Sequence, residues 1–295
     1  MLGKLRIALL FYQAKCNNKT QPRGWEPSRR RRNGEHLPPT CLWDSPHIPP
    51  ELPVRKWEEI HSKVCYDIGV GGGSMLYEYG DAETRHLARH DRQLGEAIER
   101  IGPIRRTVDE DLYASVVRHI LGQQISTAAQ ATLWARLEQR TGGVTPQTVG
   151  ALSANELQQC GTTFRKVNYI QEFTEKVQNG EIDLAVLSQA TDAEVIHTLA
   201  ALKGIGVWTA EMILLFGLRR PDIVSFGDLG ILRGMRMLYH LQSIDRETFT
   251  RYANQYSPYG TVASLYLWVI AAGALPDLAD PAAAERQNAK LRKEK

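Results

Sequence analysis

In the segment Leu199-Ala-Ala-Leu-Lys-Gly-Ile-Gly-Val-Trp-Thr-Ala210, one helical pattern ends, Gly204 and Gly206 follow, and a second helical pattern begins. Glycines there permit positive φ and a close backbone approach. The amides of Gly206 and Val207 open a helix whose first N–H groups have no partner inside it. Such a terminus is an anion site that needs no lysine, so a phosphate suits it. An ordinary αα-hairpin with a glycine C-cap gives the same Gly-x-Gly spacing. Downstream, Asp228 stands in Ser225-Phe-Gly-Asp-Leu-Gly230, where a tight loop feeds a helix. An aspartate in that position can cap the helix, and a fixed carboxylate can also stabilise positive charge that develops beside it. Asp222, beside Pro221, reads as a turn residue, and Glu211 as a solvated or structural carboxylate. Gln123-Gln124-Ile125 falls at a break between helical patterns, where a side chain could project or cap the junction.

Helices must position these residues. From residue 81 onward the periodicity is that of helices separated by short turns. Glu83–Ile101 reads as one amphipathic helix stopped by Pro103, and Asp109–Arg140 as two helices broken near Gly122. Thr145-Pro146 reads as a cap followed by a first-turn proline, and Ser153-Ala-Asn-Glu156 as a capping box. Further helices are expected at Arg165–Asn179, Leu184–Gln189, Asp192–Ala200, Val207–Phe216, Leu229–Met237, Arg246–Gln255 and Thr261–Ala272. Strand alternation bounded by hairpin turns is absent, so the expected class is all-α.

Composition divides the 295 residues unevenly. Residues 1–74 hold 8 of the 14 prolines, the Arg29–Arg32 run and the Gly71–Gly73 cluster, and carry 12 Lys/Arg against 7 Asp/Glu. This segment reads as a disordered leader, with a phosphate-tracking basic arm as the other reading. Met75, directly after Gly-Gly-Gly-Ser, is the expected natural start. Residues 75–295 carry 24 Lys/Arg against 26 Asp/Glu. Nucleic-acid affinity in that part must therefore come from a local surface and backbone donors. The expected organisation is a leader at 1–74, a globular domain of two helical lobes at 75–280, and a charged tail at 281–295.

Cys16, Cys41, Cys65 and Cys160 show neither C-x-x-C spacing nor a disulfide framework. No stretch approaches the roughly 20 apolar residues of a membrane span. The start has the short apolar run Ile7–Tyr12 but no signal-peptide cleavage site. A soluble protein of the cytoplasm is expected, associated with the nucleoid in a prokaryote.

Taken together, Tyr77-Glu-Tyr79, Ile120-Leu-Gly-Gln-Gln-Ile-Ser126, the hairpin, Asp228 in its loop and Ser257-Pro-Tyr-Gly-Thr-Val-Ala-Ser-Leu-Tyr-Leu-Trp268 resemble, in that order along the chain, the helix-hairpin-helix (HhH-GPD) DNA glycosylase superfamily. The similarity is to its DNA-3-methyladenine glycosylase II branch and spans residues 76–272. It implies two helical subdomains with a catalytic cleft between them, Asp228 as the catalytic carboxylate beside C1′ of an extruded nucleotide, and double-stranded DNA with a damaged base as partner of a monomer. It also implies base excision repair of alkylated purines of the 3-methyladenine and 7-methylguanine type.

Bifunctional members carry a lysine at the position of Trp208 and form a Schiff base with the sugar. Tryptophan cannot, so the resemblance implies hydrolysis without strand nicking. An alkylated purine is cationic and leaves easily, and the face of Trp208 offers cation–π stacking worth about 0.5–2 kcal/mol. Tyr259 matches the position of a base-stacking aromatic. Phe226 stands where relatives often have tryptophan, which leaves base preference open. Gln124 holds the position of the intercalating wedge. The backbone contacts implied for DNA are Gly204, Gly206, Val207, Thr209, Thr261 and Lys166. No cysteine follows Cys160, so no iron–sulfur cluster and no other metal is expected. Hairpin carbonyls near Leu202 to Val207 leave room for a monovalent cation. The alternatives are a uracil or thymine-mismatch glycosylase of this fold, whose pocket would supply amides in place of stacked aromatics, and a non-catalytic damage-binding protein in which Asp228 is incidental.

Overall fold

The computed structural model describes residues 75–109 and 111–282. The leader expected at 1–74 and the part of the tail beyond residue 282 lie outside the described residues. Thirteen helices are present there: α1 (Asp81–His90), α2 (Arg92–Ile101), α3 (Leu112–Gly122), α4 (Thr127–Thr141), α5 (Pro146–Gly150), α6 (Ala154–Gln159), α7 (Phe164–Gln178), α8 (Leu184–Gln189), α9 (Asp192–Ala200), α10 (Val207–Phe216), α11 (Leu229–Tyr239), α12 (Arg246–Tyr256) and α13 (Gly260–Ala271). Among the described residues, extended pairing is limited to one antiparallel bridge, Leu76 with Thr107. No helix of the described residues is long and apolar enough to cross a membrane.

Local capping explains most boundaries. Thr145 receives the Thr148 amide ahead of Pro146, and Ser153 and Glu156 exchange the reciprocal bonds of a capping box. The single helix expected over Glu83–Ile101 is instead two. Asp91 is extended (φ −142°, ψ 103°) and caps α2 through the Leu94 amide. Its other oxygen accepts the Tyr239 hydroxyl at 2.5 Å. A buried tertiary partner therefore overrides local periodicity.

The helices bury their apolar faces in two cores. One gathers α3 to α10, with Val116, Ile120, Val167, Phe173, Leu199 and Ile213 at its centre. The other combines the two flanks of that segment, α1 and α2 with α11 to α13, around Leu87, Leu94, Ile231, Met235, Tyr256 and Leu267. In this second lobe α11 and α13 pack backbone to backbone at Gly234, where an added Cβ would lie 2.2 Å from the Leu267 carbonyl oxygen. Phe216 and Trp268 pack against both cores and stack on each other with ring centroids 5.9 Å apart. The Arg106 guanidinium lies 4.7 Å from the Phe216 ring centroid at the same seam. α10 has an almost wholly apolar sequence, and Ala210, Ile213, Leu214 and Leu215 are fully buried. It forms the central strut of the first lobe, and its N-terminus carries the hairpin.

Candidate active site

The turn between α10 and α11 delivers Asp228 to the seam of the two lobes. Asp228 is the N-cap of α11, and its Oδ1 accepts the Ile231 amide at 2.9 Å. Capping is thus one duty of this side chain. Two indoles supply the others. Trp268 of α13 donates Nε1–H to Oδ1 at 3.0 Å, and Trp208 of α10 donates Nε1–H to Oδ2 at 2.9 Å. The side chain is only 4% exposed. It points into the seam between an indole from each side of it. A carboxylate offers roughly four lone-pair sites. By this count three donors leave one acceptor site unfilled, on Oδ2.

The hairpin follows the sequence reading closely. α9 ends at Ala200, Leu202 and Ile205 turn inward as buried anchors, and α10 starts at Val207 with Gly206 as an N-cap that makes no side-chain bond. The first-turn amides of Val207, Trp208 and Thr209 therefore face outward from a helix with no cap. Gly204 has φ +84°, and an added Cβ would meet the Tyr169 ring at 2.3 Å, so this position demands glycine twice over. Gly206 differs from the expectation. Its φ is −95°, an ordinary extended value, and a Cβ there would meet nothing within 4 Å. Open space, not positive φ, is what surrounds position 206.

The helix break at Gly122 carries Gln124, the residue expected as the wedge. Gln124 is exposed and left-handed, with φ +57°. Its neighbour Gln123 donates Nε2–H to the Gly204 carbonyl at 2.6 Å and so ties the break to the hairpin.

A profile of the HhH-GPD superfamily of base excision DNA repair proteins matches residues 117–258, from α3 to the end of α12. The crystal structure of a DNA-3-methyladenine glycosidase from Bacillus halodurans superimposes with a TM-score of 0.62 at 33% identity, covering 69% of this chain and 95% of that one. The chain belongs to the HhH-GPD superfamily. The 3-methyladenine DNA glycosylase of Schizosaccharomyces pombe, solved in complex with abasic DNA, matches with a TM-score of 0.57 at 26% identity, covering 64% of this chain and 96% of that one. In sequence, DNA-3-methyladenine glycosylase 1 of Schizosaccharomyces pombe is 27% identical over 191 residues, 62% of this chain and 84% of the relative.

Within this HhH-GPD fold, two expected DNA contacts need correction. Thr261 is fully buried; its hydroxyl donates to the Arg220 carbonyl at 2.6 Å and accepts the Ile223 amide at 3.0 Å, so it fastens the loop before α11 to α13 and has no capacity for a phosphate. Lys166 is 8% exposed, and its Nζ donates to the Leu121 and Gln123 carbonyls at 2.7 Å each. Burial, and then the charge of Arg165, pull its ammonium below the usual lysine range. It serves as the C-terminal clamp of α3, holding the loop that carries Gln124. The Thr209 side chain is buried too, which leaves only its backbone amide to the site. Lys203 is paired with Glu172 at 2.9 Å.

The aromatics expected around the base do not all converge. Trp208 binds Asp228 directly. Phe226, two residues before Asp228, packs edge-on against Phe249 at 5.1 Å and lies under the Arg246 guanidinium at 4.2 Å. Tyr259, the N-cap of α13, is half-buried, and its ring contact is edge-on to His86 at 5.1 Å. Asp222, read as a turn residue, is more than that: it accepts the Gly260 amide at 2.9 Å and the Ser257 hydroxyl at 2.5 Å, supplying the cap that Tyr259 lacks.

The sequence reading missed Trp268 and the pairing of Glu211 with Ser225. A signal for Trp268 existed, because an indole in an apolar helix usually finds an acceptor for its N–H. Among the described residues no group of three or more His, Cys, Asp or Glu is placed to hold a metal. In the hairpin, the Leu202 carbonyl accepts the Ile205 amide and the Gly204 carbonyl accepts Gln123.

Proposed function

We propose that this protein is a DNA glycosylase that extrudes alkylated purines from duplex DNA and releases them by hydrolysis, without cutting the strand. The observation that carries the reading is the Asp228 carboxylate, held by two indoles and a helix N-terminus, with one acceptor direction of Oδ2 left over. The named activities of the Bacillus halodurans and Schizosaccharomyces pombe relatives are in keeping with it.

In this reading a phosphate docks on the uncapped amides at the start of α10, where the helix dipole favours an anion. Gln124 enters the stack from its exposed left-handed position as the target nucleotide swings out. A purine alkylated at N3 or N7 already carries positive charge. As its bond to C1′ lengthens, the bonding pair passes to the base and neutralises it, and positive charge appears on the sugar. Oδ2 of Asp228 stabilises that charge electrostatically. Water then adds to C1′ and loses a proton to solvent, which leaves an abasic site. Trp208 stands where a nucleophilic amine would be needed for a lyase step. The nearby amines are committed, Lys166 to two carbonyls and Lys203 to Glu172.

The test is base release from duplexes carrying 7-methylguanine, a stable 3-methyladenine analogue, hypoxanthine or uracil. Release of the alkylated purines is expected, with no borohydride-trapped adduct. Asp228→Asn retains an N-cap side chain and should keep duplex binding while losing at least about 100-fold in rate. Uracil as the preferred substrate would replace this reading with a pyrimidine glycosylase, and binding without release of any base would replace it with a damage-binding protein.

A further inference from the structure

Asp228 is not alone on its clamp. α10 meets the turn before α11 at two rungs one helical turn apart. Trp208 bonds to Asp228, and Glu211, three residues further along α10, bonds to Ser225, three residues before Asp228. Ser225 is fully buried; its hydroxyl donates to Glu211 Oε2, and its carbonyl accepts the Asp228 amide at 3.3 Å. Gly227, between the rungs, lies against the Trp208 side chain, where an added Cβ would sit 3.5 Å from the Trp208 Cβ. The turn is therefore laid flat on α10 and fixed at both ends.

The pairing of a half-buried carboxylate with a fully buried hydroxyl is more than a packing detail, because the carboxylate adds charge beside a site built to meet a cation. The charged groups that bear on Glu211 are Asp228 on the facing turn and Arg246 at the start of α12, whose guanidinium stacks on Phe226. We propose that Glu211 is a positioning residue for Asp228: through Ser225 it fixes the turn that presents the catalytic carboxylate, and its own charge adds to the negative field at the seam. The inference rests on the reading of Asp228 given above.

Burial pushes the Glu211 carboxyl above the usual range; the Ser225 bond opposes the rise, the charge of Asp228 adds to it, and Arg246 opposes it. A raised carboxyl loses its charge earlier as pH falls. Excision should therefore decline through a limb on the acid side that belongs to Glu211. Glu211→Gln keeps an oxygen that can accept from Ser225 but removes the charge. Glu211→Asp keeps the charge on a shorter arm.

The experiment is single-turnover release of 7-methylguanine by the full chain from neutral to mildly acidic pH, with thermal melting of each variant alongside. Glu211→Gln is expected to be about tenfold slower at neutral pH, to lack the acid limb, and to melt like the parent. Glu211→Asp is expected to be slower yet to retain the limb. A parent profile without the limb, or a limb that survives in Glu211→Gln, overturns the inference. Asp228→Asn in parallel separates the two failures: if it stays inert while Glu211→Gln behaves as the parent, only the role of Glu211 falls, whereas parent-like cleavage by Asp228→Asn removes the underlying reading.

Discussion

The indole nitrogen of Trp208 lies 2.9 Å from Oδ2 of Asp228, the one oxygen of that carboxylate with an acceptor direction to spare. The bond sets the rotation of the carboxylate and thus the line along which it can meet a positive charge. Trp208→Phe keeps an aromatic ring and deletes the donor. A hydrogen bond to a charged group contributes about 1.5–3 kcal/mol, so the variant should lose stability of that order in chemical denaturation, and release of 7-methylguanine should slow at least about tenfold under conditions where it stays folded. A rate equal to the parent would show that the indole N–H does not align the carboxylate.

The Thr261 hydroxyl bonds to two backbone partners, the Ile223 amide and the Arg220 carbonyl. Thr261→Val matches its shape but strands the Ile223 amide and the Arg220 carbonyl. The expected cost is about 1–3 kcal/mol, read as a lower denaturant midpoint. Affinity for duplex DNA should be unchanged. Weaker DNA binding by a variant that melts normally would restore Thr261 as a contact.

The two hairpin glycines should respond differently to alanine. Gly204→Ala must hold φ near +84° and push aside the Tyr169 ring, each at a cost on the order of 1–3 kcal/mol. Gly206→Ala meets nothing in the free protein and should melt like the parent, while a methyl group added at the N-cap of α10 should weaken duplex binding. Equal melting temperatures for the two variants would contradict this division.

Stability should fall on mild acidification through His119. Burial lowers the pKa of this imidazole; Asp109 and the Ser115 carbonyl oppose the shift, and Arg118 and Arg106 add to it. A base whose folded pKa lies below its unfolded value of about 6.5 takes its proton preferentially in the unfolded chain. Unfolding free energy therefore drops as pH falls below that unfolded value and levels off once the folded pKa is passed. His119→Gln should flatten this part of the profile measured by chemical denaturation, and an unchanged slope would assign the effect elsewhere.

What was legible in the sequence is what short-range chemistry decides. Leu184–Gln189, Asp192–Ala200 and Val207–Phe216 begin and end where read, because caps, glycines and apolar periodicity act within a few residues. The hairpin was legible for the same reason. Asp91 was not, because what favours its extended backbone includes Tyr239, 148 residues away. Lys166 and Thr261 looked like surface contacts because lysine and threonine are polar; the carbonyls and amide that absorb them lie on distant elements. Trp268 meets Asp228 across 40 residues and Glu211 meets Ser225 across 14, pairings that no local pattern encodes.

The second lobe is assembled from both flanks of the first, and this has a consequence for biosynthesis. A growing chain can complete the contiguous α3–α10 lobe while α11 to α13 are still being translated. At that stage the hairpin proposed to dock a phosphate would exist, but Asp228 would lack the indole that α13 brings and the helix that it caps. On the proposed function, a polypeptide at that stage would hold DNA without breaking a glycosidic bond, and the capacity to release a base would arrive only with α13.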